Sequence, residues 1–411
     1  MVTYPSDWTT YSFDEMFQLY PNNTLSRDKL SEHGGIGNIH YGDVLIKYGA
    51  VLSEKDSIPR IRTEFESAAR AFLQQNDIIV ADTAEDETVG KVVQIGDIPF
   101  PLVGGLHTIV CRPQVPTAAG YLGYYMNSKE YHEQLLPYIT GIKVSSVSKT
   151  SIRKTELHIP STVEEQAAIV GAIQQFDIHI ANLAELIEKK KAIRDGVLED
   201  LVTGRTRLAG FNEEWIDTTV NDVTQDVIAG GTPSTSHPEY WGGTIPWLAS
   251  TEIHQKMLDR ETTHITELGL ANSSAKIAPA ESVLIALAGQ GKTRGTAAFL
   301  LRPMALNQSL AALVSNEKMS PKFLFYLMES MYLSLREVSS GDGGRGGLNK
   351  KLLKKVSIRI PIDVDEQKTI ADVLTAMDKE IKDLEDERDK MIQIREGAMD
   401  DLLTGRVRLT V

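Results

Sequence analysis

The chain has 411 residues, 42% hydrophobic and 24% charged, which suits two or three globular domains and excludes fibrous or low-complexity architectures. No stretch approaches the ~18 consecutive apolar residues of a membrane span, no secretory signal opens the chain, and the lone Cys111 forms neither an internal disulfide nor a cysteine-based zinc site, so the expected setting is the cytoplasm. The net charge is −13 and no segment is basic overall, which argues against a general polyanion coat and leaves room only for a local nucleic-acid patch.

In chain order, the apolar runs Tyr41–Tyr48, Lys91–Ile95 and Leu106–Val110 predict strands, and Tyr121–Leu136 predicts a helix. Glu164-Glu165 then opens a helix shortly after Pro160, where carboxylates favour the positive end of the dipole. A second helical stretch is expected from Asp177, read as an N-cap. The glycine- and serine-rich turn Gly230–Ser236 follows, then a strand at Thr296–Leu301 and a helix at Pro321–Val338. After the glycine-rich turn 341–347, Asp365-Glu366 and Asp378 repeat the earlier helix starts.

That repetition is systematic. Residues 160–208 and 361–409 align without a gap at an offset of 201, with over a third of positions identical. Weaker echoes reach further back, among them Trp8 with Trp215 and Tyr121–Ser128 with Phe323–Ser330. The chain therefore divides into a variable block 1–150, a repeated block 151–210, a variable block 211–350 and a repeated block 351–411. Within the repeated blocks Ile180, Leu183, Ile187, Lys190, Arg194, Val197 and Leu201 keep a 3-4 spacing. Ile381, Leu384, Arg388, Met391, Arg395, Ala398 and Leu402 repeat it, a coiled-coil period with charges in the seam. Gly204 and Gly405 suit the left-handed residue that ends a helix. The simplest pairing is of the two helices with each other. From Asp177 to Thr203 such a helix measures roughly 40 Å, about 12 base pairs of duplex at ~3.4 Å per step, which makes it a ruler for two blocks held at its ends.

Two enzymatic patterns fail on context. Ala286–Thr293 fits a relaxed phosphate-loop pattern, but the strand-like Thr296–Leu301 follows where a helix is required. Asp363 with Glu366 and Lys368 resembles a nuclease cluster, yet its repeat partner lacks the lysine and the carboxylates sit at a helix start. His254 and His264 show no metal-ligand spacing. No methyltransferase signature of the Asn-Pro-Pro-Tyr kind occurs.

The passage Gly231-Thr-Pro-Ser…Tyr240-Trp241-Gly-Gly-Thr-Ile-Pro246-Trp247, with Ile39-His-Tyr41-Gly42-Asp43, Thr293-Arg294-Gly295, Asn307-Gln308 and the Thr-Gly-Arg helix endings, resembles the specificity subunit of type I restriction–modification systems across essentially the whole chain. The resemblance implies two mixed α/β target-recognition domains in tandem pseudo-repeat, separated by two long helices forming an antiparallel coiled coil. Each domain would read one half of a bipartite double-stranded DNA target. Two methyltransferase subunits carrying S-adenosylmethionine would dock on the helices, and a restriction–translocase subunit using ATP and Mg would join them. The chain itself would carry no cofactor, no metal and no catalytic residue. Because the loops 84–87 and 289–292 differ, the two half-sites should differ and the target should be asymmetric.

Base reading needs donors and acceptors on exposed loops, and phosphate contacts need cations, hydroxyls and free N–H groups. The candidates are Lys47, Tyr48, Lys143, Ser145, Ser146 and Lys149 in the first domain. In the second they are Thr232, Ser234, Thr235, Ser250, Thr251, Gln290, Lys292, Arg294, Asn307, Gln308, Arg345 and Lys350. Trp241 and Trp247 are expected in the core. Glu185, Lys189, Lys191, Glu387 and Lys390 are candidates for the partner face of the helices. The rival from another class is a coiled-coil adaptor that positions proteins rather than DNA.

Overall fold

The computed structural model describes residues 3–141, 143–289, 291–338 and 347–409. Two helices of 40 residues each, α1 (Val163–Val202) and α2 (Val364–Leu403), follow the two variable blocks. The chain separates into two compact units, Met1–Ala184 with Asp386–Val411, and Glu185–Glu385. The division falls inside the helices, so each unit combines one variable block with half of α1 and half of α2.

The two units share one frame. In the first, a five-stranded sheet has the order Phe17–Tyr20, Thr108–Pro113, Ile78–Ala81, Val92–Ile95, Val51–Leu52. In the second the order is Thr224–Ala229, Leu310–Ser315, Val283–Ala286, Ala297–Leu300, Met257–Leu258. Each sheet is antiparallel except its last pair, which runs parallel. The central strands are buried on both faces, which is why they read as unbroken apolar runs. A second, four-stranded sheet in each unit is built on a short parallel pair, Gly37–Ile39 with Leu102–Gly104 and Trp241–Leu248 with Met304–Leu306. The outer strands of these smaller sheets differ: Leu30–Ser31 flanks one side in the first unit, and Ile277–Ala278 flanks the other in the second.

The strand Trp8–Ser12 pairs antiparallel with Glu156–Pro160, as Trp215–Thr219 does with Ser357–Pro361, so each block closes on the chain leading into its own long helix. Within each unit the helix halves run antiparallel. Apolar side chains bind them to the block: Ile169, Ile173, Leu402 and Leu403 join Trp8, Tyr121 and Tyr131, while Leu198, Leu201, Ile370 and Leu374 join Phe323 and Phe325. Every residue expected in the seam is buried or half-buried.

Two expectations are corrected. Tyr41–Ile46 is a helix, because the His40 ring accepts from Gly42 N and buried Asp43 holds both Arg27 and Lys47. Asp177 and Asp378 are not N-caps: α1 and α2 run unbroken through them, and both carboxylates serve tertiary contacts. The true starts lie near Thr162, whose hydroxyl accepts from Glu165 N, and Asp363, whose carboxylate accepts from Asp365 N.

The repeated residues form the same clasp in each unit. In the first, Arg408 grips buried Glu165 through Nε at 2.5 Å and Nη2 at 2.8 Å. Arg395 donates to Asp177 at 2.5 Å, and Tyr124 OH reaches the other oxygen of that carboxylate at 2.6 Å. In the second, Arg207 grips Glu366 at 3.0 and 2.6 Å, Arg194 donates to Asp378 at 2.8 Å, and Tyr326 OH reaches Asp378 at 2.9 Å. Gln166 bonds Ala118 N and Pro160 O, and Gln367 bonds Ser320 N and Pro361 O, so two buried backbone groups per unit depend on one amide. Gly405 (φ +72°) and Gly204 (φ +70°) turn the chain out of the helices in the left-handed conformation, tight against Trp8 and Trp215. Glu366 thus belongs to the clasp, which removes it from any nuclease cluster.

Candidate nucleic-acid interface

The parallel pairs of the smaller sheets place the candidate loops. Because Trp241–Leu248 and Met304–Leu306 run in one direction, their ends deliver Ser250-Thr251 and Asn307-Gln308 to the same sheet edge, with Asn307 N bonded to Leu248 O. Thr232 joins them through a hydrogen bond to the Gln308 side chain. The glycines of the Gly230-Gly231 turn pack backbone to backbone: a Cβ on Gly230 would stand 2.1 Å from Asn307 O. Trp247 is buried and donates to Gly231 O at 3.0 Å, while Trp241 meets it edge to face, so both tryptophans support the loop from within.

A second group in the same unit is tied to the larger sheet. His254 bonds Thr293 Oγ1 at 3.2 Å, which connects the turn after Ser250 to the 291–295 turn. Tyr332 OH and Arg336 donate to the carbonyls of Lys292 and Gly291, holding that turn against the helix Tyr332–Val338. Lys292 is exposed and Arg294 half-buried. Ala286 ends one strand and Ala297 opens the next, and the described residues between them open no helix, so the phosphate-loop resemblance has no structural counterpart among them. Ser234 and Thr235 are exposed, with Ser234 bonded to Ser236 at 2.7 Å. Gln290 and Arg345 lie outside the described residues.

In the first unit Lys143 is exposed, and Ser145-Ser146 pairs with Thr83-Ala84. Lys149 and Lys350 occupy matching positions, each the first residue of a short helix capped by Ser148 or Asn349. Lys350 lies 3.5 Å from Asp226. Lys47 is exposed but paired with Asp43 at 3.1 Å.

Two candidates are corrected. Tyr48 is buried, its hydroxyl directed to Ser57 O, and burial pushes its ionisation far up; it is a core residue with no edge to offer a base. Asn307 is buried too, and its carboxamide oxygen accepts from Ser309 N, so it builds the turn that presents Gln308.

Sequence reasoning missed a cluster in the first unit. Gly105 N bonds Ile39 O as Asn307 N bonds Leu248 O, so the residues following Ile39 and Gly105 match those following Leu248 and Asn307. There Tyr41 meets His107 edge to face at 5.3 Å, and His107 contacts Thr83 at 3.3 Å and Asp82 at 3.4 Å. His107 has φ +54°, a left-handed backbone that a non-glycine residue adopts only at a cost. Burial lowers the pKa of His40 beside it, with Arg27 adding to the effect. Tyr41, Thr83 and His107 therefore join the candidates; the equivalence of Gly105 with Asn307 that points to them emerges only from the backbone pairing.

The helix surfaces offer a different pattern. Glu185 pairs with Lys189, Lys191 with Glu385 at 2.8 Å, and Glu387 with His179 at 3.6 Å, as flanking charges do. Most repeat identities are consumed by the clasp and the core, but midway along each helix Lys189, Ile193 and Gly196, matched by Lys390, Ile394 and Gly397, are not. Spaced i, i+4, i+7, each trio lies on one helix face. Ile193 is 56% exposed and Ile394 43%. A Cβ at Gly196 or Gly397 would meet nothing, so neither glycine is required by the chain's own packing. Among the described residues no His, Cys, Asp and Glu group has the arrangement of a metal site, and no helix is long and apolar enough to cross a membrane.

Comparison with known proteins adds the following. A family model described as the type I restriction modification DNA specificity domain matches residues 5–191 and again 212–393. The chain is 26% identical to the putative type I restriction enzyme MjaX specificity subunit of Methanocaldococcus jannaschii, covering 98% of this chain and 95% of that one. It is 25% identical to the EcoR124I/EcoR124II specificity subunit of Escherichia coli over 61% of this chain and 62% of that one. The crystal structure of a type I restriction–modification S subunit from M. genitalium shares its fold with a TM-score of 0.57 at 16% identity, covering 96% of each chain.

Proposed function

The chain belongs to the type I restriction modification DNA specificity domain family, and from that membership we propose that it selects the DNA site for a type I restriction–modification complex without carrying out the chemistry. Each recognition domain reads one half of a bipartite, asymmetric target, and α1 and α2 set the half-site spacing. Methyltransferase subunits bind the helices and supply S-adenosylmethionine; a restriction–translocase subunit, where present, supplies ATP and Mg chemistry. The carrying observation is the pairing of one repeated frame with two different rims: five-stranded sheets of the same order carry rims that present Tyr41, Thr83 and His107 in one unit and Thr232, Ser250 and Gln308 in the other. A scaffold for proteins alone gives no reason for that divergence.

The exposed trios support the docking role. An isoleucine flanked by a lysine and a bare glycine on a helix lets a partner helix approach closely, and two copies suit a partner that binds twice. Lys149 and Lys350 are assigned to phosphates. Replacing either with Ala should weaken binding to all sequences alike and lower the salt slope by about one.

The decisive test is a modified-base map of DNA from cells expressing the chain with its methyltransferase subunit. Methylation at one asymmetric, gapped motif that disappears without the chain is expected. An active methyltransferase with no chain-dependent motif would overturn the reading in favour of the adaptor.

A further inference from the structure

The repeat lets each unit serve as the reference for the other, and one polar site differs between them. In the second unit Glu329, at the end of the helix Pro321–Ser330, bridges two cations: Arg194 on α1 at 2.5 Å and Lys256 at 2.5 Å. Burial works against the Arg194 charge, but the carboxylates of Glu329 and Asp378 outweigh it and hold the guanidinium firmly protonated.

The first unit keeps the arginine and loses the bridge. Tyr124 and Tyr326 fix the helix register, so Asn127 stands where Glu329 does. Gln94 N bonds Ala50 O as Phe299 N bonds Lys256 O, so Ala50 stands where Lys256 does. Asn127 turns its carboxamide onto Val92 and Gly123 instead. Beside them lies a cavity of about 410 Å³, lined by Ala50, Asn127 and Arg395 together with Lys91 and His132; the matching cavity of the second unit, lined by Arg194 and Lys256, already has those two cations bridged by Glu329. That volume is in the range of small-ligand sites. Arg395 donates only through Nε, to Asp177, among the described residues. Lys91 is half-buried, its charge disfavoured by desolvation, with Nζ on Leu45 O. Glu87 also lines the cavity but is exposed and has no ion pair among the described residues.

We infer that this cavity binds a small oxyanion, a phosphate or carboxylate, which takes the place of the Glu329 carboxylate and bridges Arg395 and Lys91. An Arg fork and a desolvated ammonium are the donors such a group requires. Occupancy ties the first recognition block to α2 as Glu329 ties the second block to α1, so the firmness of one unit depends on a solute and that of the other does not.

The full chain, carrying ¹³C-methyl methionine, is titrated with inorganic phosphate and separately with glutarate, against chloride at matched ionic strength. Met126 and Met399 line the cavity, and Met257 lies beside the Glu329 network. Saturable shifts at Met126 and Met399 with Met257 unmoved are expected, weakened about tenfold by Lys91→Gln and strengthened by Glu87→Gln. A response to phosphate alone identifies a tetrahedral anion as the ligand, and one to glutarate alone a carboxylate. No saturable shift beyond chloride, or shifts indifferent to Lys91→Gln, would overturn the inference.

Discussion

The two units are near-copies in frame and opposites in detail, and the difference separates what holds a recognition block from what it reads. Both keep the five-stranded sheet, the tyrosine-to-aspartate bond and the arginine-to-glutamate grip. They part at the small-sheet rims and around one arginine. Arg194 is 4% exposed and faces two carboxylates besides the neighbouring Asp195, whereas Arg395 is 25% exposed and faces one. Framework positions repeat because each answers a buried polar group that exists twice. Rim positions do not repeat because each rim is held by its own local contacts, Thr232 with Gln308 in one unit and His107 with Tyr41 and Thr83 in the other.

The largest effects test that asymmetry. Arg194→Ala takes the shared cation from two carboxylates in a mostly buried setting, leaving Glu329 with Lys256 and Asp378 with Tyr326, and should cost the second unit about 2–4 kcal/mol. Arg395→Ala leaves one half-exposed carboxylate with water and Tyr124 as partners, and should cost the first unit about 1–2 kcal/mol. Amide exchange resolved by unit measures both losses. Equal losses would mean that the Glu329 bridge contributes nothing.

The glutamines should behave alike instead. Gln166→Ala and Gln367→Ala each leave a buried N–H and a buried C=O unanswered, for about 2–3 kcal/mol apiece. Chemical denaturation followed by a tryptophan in each unit, Trp8 or Trp215, would show it. Unequal losses would break the view that the framework is truly duplicated.

At the rims the comparison concerns specificity, not stability. Exchanging 1–150 with 211–350 should exchange the half-sites in the methylation motif and leave its spacing intact. Inserting one heptad into each helix should alter the spacing and leave the half-sites intact. A motif unchanged by the block exchange would place the reading elsewhere in the chain.

What the sequence disclosed follows the same division. The seam from Ile180 to Leu201 was legible because a 3-4 period is local, and the buried strands were legible because burial on both faces makes them uniformly apolar. Tyr41–Ile46 misled because its residues favour strands, while its helix rests on a His40 cap and on the buried Asp43–Arg27 pair. Asp177 misled because its true partner, Arg395, is 218 residues away. The His107 cluster was invisible for a related reason. Tyr41, Thr83 and His107 meet only once two short parallel strands are paired, and no local pattern announces a three-residue strand.

The smallest effect is the most discriminating for the helix surfaces. Glycine inside a helix costs about 1 kcal/mol relative to alanine, and neither Gly196 nor Gly397 repays it within the chain, since a Cβ at either would touch nothing. Gly196→Ala and Gly397→Ala should therefore each stabilise the isolated chain by up to about 1 kcal/mol in urea titrations. If the glycines persist because a methyltransferase helix packs against bare backbone, the same substitutions should weaken assembly, each at its own trio, and the double variant should lose both partners. Stabilisation without any loss of assembly would leave Ile193 and Ile394 as the apolar contacts and the glycines as incidental. Destabilisation of the isolated chain would mean that the helix surface is already covered from within, which the open space around both glycines argues against.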